Sequence, residues 1–104
     1  SLSDTKQLAY MKPLGNNKYQ STIYLSDQTK WGFDIKMYSK RSWSAKYVTF
    51  ADSRITGDKQ GIKVSGDKNA DLVMGSNFTP GYFRITLDVS PGLKNAKVNI
   101  ERLP

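Results

Sequence analysis

An all-β fold is what this chain predicts, and three observations carry the prediction. Apolar residues recur with a period of two in several short segments. No stretch shows a 3.6-residue apolar stripe, and pairs of turn-forming residues punctuate the chain at short intervals. Period two sends one set of side chains into a core and the other toward water, as half-buried antiparallel strands do. The spacing fits about seven or eight short strands folded as an antiparallel β-sandwich, immunoglobulin-like in outline. A small Greek-key barrel is the alternative.

The elements follow in chain order. Gly15-Asn16-Asn17 is a turn, and the segment 19–25 after it, YQSTIYL, is β-branched and aromatic enough for a strand. Ser26-Asp27 closes that strand. Trp31, Phe33, Ile35 and Met37 then alternate with Gly32, Asp34 and Lys36, which predicts a central strand, and 45–50 predicts another. Gly57-Asp58 and Gly66-Asp67 are turn pairs around two weaker strand candidates, 61–65 and 70–74. Pro80-Gly81 precedes the clearest alternation, in which Phe83, Ile85, Leu87 and Val89 point one way and Tyr82, Arg84, Thr86 and Asp88 the other. After Pro91-Gly92, Val98 and Ile100 alternate with Lys97, Asn99 and Glu101.

At 104 residues, 38% of them hydrophobic and 12% aromatic, the chain suffices for one core and is too short for two. Residues 1–104 are therefore expected to form a single domain, and a domain excised from a longer protein would look the same. No apolar run approaches the roughly 20 residues that span a bilayer, and the opening SLSDTKQ has no apolar signal core.

The chain has no cysteine and no histidine. Disulfides, thiolate metal sites and Ser-His or Cys-His nucleophiles are thereby excluded, so an enzyme would have to run on carboxylates, lysine or tyrosine. The acidic residues Asp4, Asp27, Asp34, Asp52, Asp58, Asp67, Asp71, Asp88 and Glu101 are candidates for a glycosidase pair. Most fall at turn positions, where aspartate hydrogen-bonds its own backbone. A non-enzymatic domain with no cofactor and no metal is the expectation.

Sixteen Lys and Arg against nine Asp and Glu give a net charge of +7, which directs attention to anionic partners. The cations are spread along the chain, however, and only Lys36, Lys40, Arg41 and Lys46 lie close together. Inside that cluster, KMYSKRSWSAKY at 36–47, stands Trp43, flanked by Ser39, Ser42 and Ser44. An exposed ring with donors and acceptors around its edge is the composition of a sugar-binding platform. Tyr38 falls out of phase with the inward set and should face the same side. Trp31 is in phase with Phe33 and Ile35, a core position, and joins the candidate binding residues as the chain's other indole. Tyr24 and Tyr82 are open between core and display. A basic single-stranded nucleic-acid-binding β domain would also mix aromatics with cations, though no recognised nucleic-acid motif is present. Salt would separate the two, because phosphate binding collapses with added salt and stacking on a neutral glycan does not.

The order of segments LAYMKPLGNNKYQSTIYL, WGFDIKMYSKRSWSAKY, GIKVSGDKNADLVM and TPGYFRITLDVSPGLKNAKVNIERL resembles the immunoglobulin-like glycan-binding domains of Bacteroidetes outer-membrane lipoproteins, the SusE/SusF type. Gly81, Phe83, Ile85, Leu87 and Asp88 match the family's closing motif, with Tyr82 or Phe83 in the aromatic place. Trp31, Phe33 and Ile35 stand at its central strand and Trp43 at its loop tryptophan. The resemblance implies a non-catalytic carbohydrate-binding module of a secreted, cell-surface polysaccharide-utilisation lipoprotein. Its lipid anchor would lie in another part of the chain, and neighbouring domains would be its partners. Trp43, with Lys40 and Arg41 gripping hydroxyls, carries over as the binding site. The family's starch binders also have a Gly-Asp-Ala…Gly-Trp loop that supplies a second ring. This sequence starts too late, or too differently, to show that loop, so a spacer without its own ligand is the alternative role.

Overall fold

The computed structural model describes residues 11–25, 34–36, 48–59, 61–64, 71–73 and 78–104, with only the backbone of 34–36, 71 and 73. Among the described residues the chain is all-β. It has strands β1 (Lys12–Gly15), β2 (Lys18–Leu25), β3 (Asp34–Lys36), β4 (Ile55–Gly57), β5 (Lys63–Val64), β6 (Asp71–Val73), β7 (Gly81–Asp88) and β8 (Lys97–Arg102). Single-turn 3-10 helices occupy Asp52–Arg54 and Leu93–Asn95. The strands form a five-stranded sheet in the order β1-β2-β7-β8-β4 and a three-stranded sheet in the order β3-β6-β5.

Local chemistry explains the tight hairpin between β1 and β2. Asn16 and Asn17 have φ of 54° and 62°, the left-handed values that a two-residue hairpin turn needs at both central positions and that asparagine tolerates best among side-chain-bearing residues. The register slips between Pro13 and Gly15. A proline there is admissible because β1 lies at the sheet edge.

From that hairpin the pairing runs without a break. β2 meets β7 from Lys18↔Asp88 to Leu25↔Gly81, and β7 meets β8 from Asp88↔Lys97 to Phe83↔Arg102. Alternation along β7 and β8 then puts Phe83, Ile85, Leu87, Val98 and Ile100 on one face, all buried. They join Leu25, Phe50, Ile55, Phe78 and, from the three-stranded sheet, Val64 and Leu72 in one apolar cluster. Burying each such side chain contributes roughly 1.5–3 kcal/mol relative to leaving it in water. Among the described residues no polar or charged residue is buried, so the cluster carries no desolvation cost of that kind.

Two polar ties hold the connections to this core. The Asp52 carboxylate accepts the backbone N–H of Val64 at 2.7 Å, fixing β5 against the first 3-10 helix. Arg54 donates from Nε to the Ala96 carbonyl at 2.9 Å and from Nη2 to that of Lys94 at 3.2 Å, fixing the same helix to the segment before β8.

The structure departs from the sequence expectation in several places, among them Gly57, expected in a turn and found as the last residue of β4. The sheet is mixed rather than wholly antiparallel, because β4 runs parallel to β8 in the register Ile55↔Val98, Thr56↔Asn99, Gly57↔Ile100. Of the strand expected over 45–50, residues 48–50 are not a strand, and 45–47 lie outside the described residues. Val48 and Phe50 are buried as the alternation implies. Between them Thr49 bonds the second 3-10 helix, its N–H to Leu93 O at 2.9 Å and its hydroxyl to Lys94 O at 3.0 Å, so no ladder extends from it. Gly81, expected in a turn, is instead the first residue of β7. Its missing side chain leaves the space that the Arg102 guanidinium fills. Of the strand expected over Trp31 to Met37, the described part is β3. The turns at Ser26-Asp27 and Gly66-Asp67 lie outside the described residues.

Candidate functional site

The binding residues expected from the sequence, Trp43, Tyr38, Lys40, Arg41 and Trp31, lie outside the described residues. The described residues present a different candidate: the outward face of the five-stranded sheet.

Its composition follows from register. Residues that alternate with the buried set share this face, and pairing aligns them in rows across the strands. One end row is Lys18, Asp88 and Lys97. The next is Lys12, Gln20, Thr86, Asn99 and Thr56, and the one after it Thr22, Arg84 and Glu101. The last is Tyr24 opposite Tyr82. The face is therefore cationic at one end, amide- and hydroxyl-bearing in the middle and aromatic at the other end.

The aromatic end is displayed. Tyr24 is 52% and Tyr82 58% exposed, although both sit on well-paired strands. Their ring centroids are 5.1 Å apart with planes at 68°, the edge-to-face arrangement that ring quadrupoles favour. Two rings so inclined form a corner rather than a flat shelf. They suit a ligand that offers one apolar face and a polar edge.

The middle rows are held in place by their own hydrogen bonds. Gln20 Nε2 donates to Thr86 Oγ1 at 3.0 Å, and Thr56 Oγ1 donates to Asn99 Oδ1 at 2.8 Å. Arg84 Nη1 pairs with Glu101 Oε1 at 3.1 Å, and both side chains are well exposed. Such a pair adds under about 1 kcal/mol to stability, but it orients a guanidinium and a carboxylate toward solvent. The result is a set of donors and acceptors fixed on rigid strands.

At the cationic end Asp88 is held by Ser90, whose hydroxyl and backbone N–H donate to Oδ1 at 2.7 and 3.0 Å. The hydroxyl bond and then the backbone bond keep its carboxyl below the ordinary carboxylate range, against an opposing effect of desolvation, and the nearby charges of Lys18 and Lys97 add the smallest contributions. This is the turn role expected for the chain's aspartates.

Acid–base hydrolysis of a glycoside needs carboxyls about 5–9.5 Å apart. Asp88 pairs with Lys97, and Glu101 lies four residues further along β8, about 14 Å away at ~3.4 Å per residue. The two carboxylates of this face do not form such a pair. Among the described residues no group of three or more acidic side chains could hold a metal ion.

Sequence periodicity contained half of this site. Tyr24 is out of phase with Ile23 and Leu25, and Tyr82 with Phe83 and Ile85, which is the signature of outward display. That the two rings meet depends on the β2–β7 register across 58 residues (82 − 24), which no local pattern encodes. Compared with known proteins, the chain matches no family model, no curated protein and no solved structure.

Proposed function

We propose that this chain is a non-catalytic carbohydrate-binding module of a cell-surface glycan-capture lipoprotein of the SusE/SusF kind, folded as an immunoglobulin-like β-sandwich. The sandwich reading is supported by the single apolar cluster drawn from both sheets. The binding reading is supported by one observation above others: two tyrosines stand exposed on paired strands beside fixed amide, hydroxyl and guanidinium groups. A sugar ring has an apolar C–H face and an edge of hydroxyls, and that face of the sheet offers a partner for each. Trp43, Tyr38, Lys40, Arg41 and Trp31 belong to the same proposal as a second contact region.

Affinity electrophoresis of the 104-residue chain through gels containing a panel of polysaccharides tests it. At least one polysaccharide should retard the chain. Replacing both tyrosines, Tyr24→Ala with Tyr82→Ala, should weaken that retention about tenfold, the order of one lost ring contact. The thermal midpoint should hardly move, because both rings are more than half exposed. Retention by no polysaccharide would leave only the spacer role.

A further inference from the structure

We infer that the glycan taken by this face is an acidic one, a linear polymer bearing carboxylates, laid along the strands from the tyrosine corner to the lysine row. The inference rests on the glycan-binding reading and names its substrate class.

Charge is the first argument. Facing outward on the five-stranded sheet are Lys12 from β1, Lys18 from β2, Arg84 and Asp88 from β7, and Lys97 and Glu101 from β8, with neutral Thr56 on β4. Four cations thus meet two carboxylates. Both carboxylates are already engaged, Glu101 by Arg84 and Asp88 by the hydroxyl and N–H of Ser90. Lys12, Lys18 and Lys97 are exposed, and among the described residues of this face one carboxylate, Asp88, stands among them. Lys18 and Lys97 flank it from opposite sides, about 10 Å apart across two inter-strand spacings. A neutral ligand would leave these lysines without use, whereas successive carboxylates along a polymer would meet them.

Distance is the second. The tyrosine row and the lysine row are six residues apart on β7 (Tyr82 to Asp88), about 20 Å at ~3.4 Å per residue. No single sugar spans that length, so a ligand using both ends is an oligomer. Between the ends lie Thr22, Arg84, Gln20, Thr86 and Asn99, which can bond hydroxyls along the way. Stacked nucleobases would want a ring at every step, but among the described residues this face has aromatic side chains only at one end.

Polygalacturonate and its fully methyl-esterified form share one backbone and differ only in charge. In affinity electrophoresis at low salt the acid form should retard the chain and the ester should not. Lys18→Ala combined with Lys97→Ala should weaken retention by about fivefold or more, as should Tyr24→Ala with Tyr82→Ala. Added salt should reduce the retention, and free galacturonic acid should not compete. Both lysines are exposed, so an unchanged thermal midpoint will show that the variants fold.

Equal retention by acid and ester would overturn the acidic assignment and leave the glycan reading intact. Retention by neither, with no other polysaccharide retained, would overturn both. Loss on lysine replacement with no effect of the tyrosines would reduce the interaction to general polyanion adsorption and overturn the inference. Tighter binding of a single-stranded oligonucleotide than of polygalacturonate would overturn it in favour of nucleic acid.

Discussion

The guanidinium carbon of Arg102 lies 4.4 Å from the centroid of the Phe83 ring. The two residues are paired across β7 and β8 at the end of the buried face, where alternation would otherwise call for an apolar side chain. The arginine closes the core by laying its planar cation on a fully buried ring while its nitrogens face oxygen atoms of the chain. Nη1 donates to the Pro80 carbonyl at 3.3 Å, Nη2 donates to Thr79, and Nε stands 3.9 Å from an Asp58 oxygen. Arg102→Ala should therefore destabilise the fold by about 1–3 kcal/mol. Arg102→Lys should recover only part of this, because an ammonium cannot bond several carbonyls and stack at once. Urea unfolding of the three proteins measures both.

Gly57 supplies a second expectation. It combines φ of 89° with a position where an added Cβ would run into the Ile100 carbonyl, the β4–β8 partner of Gly57 itself. Gly92 has φ of 104° but open space around it. Gly92→Ala should cost about 1 kcal/mol from backbone strain alone. Gly57→Ala should cost more, since the ladder must also shift. Equal thermal midpoints for the two variants would show that the close approach at Gly57 is not felt.

Asp88 predicts a pH effect of definite sign. Its folded carboxyl titrates below the ordinary 3.8, so the unfolded chain takes up the proton first. Its contribution to stability is complete above 3.8 and disappears as pH falls through the lower folded value. Ser90→Ala removes the largest cause and should move the Asp88 titration, followed by carboxyl NMR, back toward its ordinary position. No movement would mean that the backbone N–H of residue 90 and the lysines, rather than the Ser90 hydroxyl, hold it down.

Trp43→Ala should weaken polysaccharide retention with little change in melting, and Lys40→Ala or Arg41→Ala should do so modestly. A large drop in melting temperature with retention intact would instead place the indole in the core.

The strongest alternations in the sequence became the strongest strands. Phe83, Ile85 and Leu87 are buried in β7, and Val98 and Ile100 in β8, because a half-buried strand writes its two faces directly into residue order. β1 and β4 were not legible in the same way. β1 reads KPLG and is exposed throughout, and β4 reads ITG with one buried residue, so neither has two inward side chains from which a period could be seen. The parallel pairing of β4 was also beyond reach, since it depends on a distant partner. For the site, outward display of Tyr24 and Tyr82 was present as a phase, while their meeting was a matter of register. The lysine row has the same character: Lys18, Asp88 and Lys97 are unremarkable singly and become a feature only when three strands align them.

The parallel pair has a consequence for how the molecule is made. Among the described residues β4 joins its sheet only through β8, and Thr56 waits for Asn99, 43 residues downstream. While the chain emerges from a ribosome, Ile55 and its neighbours must remain unsheltered until the later segment has been translated. The sheet cannot close by zipping neighbouring hairpins alone. Its completion is a late, long-range event, and folding should be slower than that of a meander with the same number of strands.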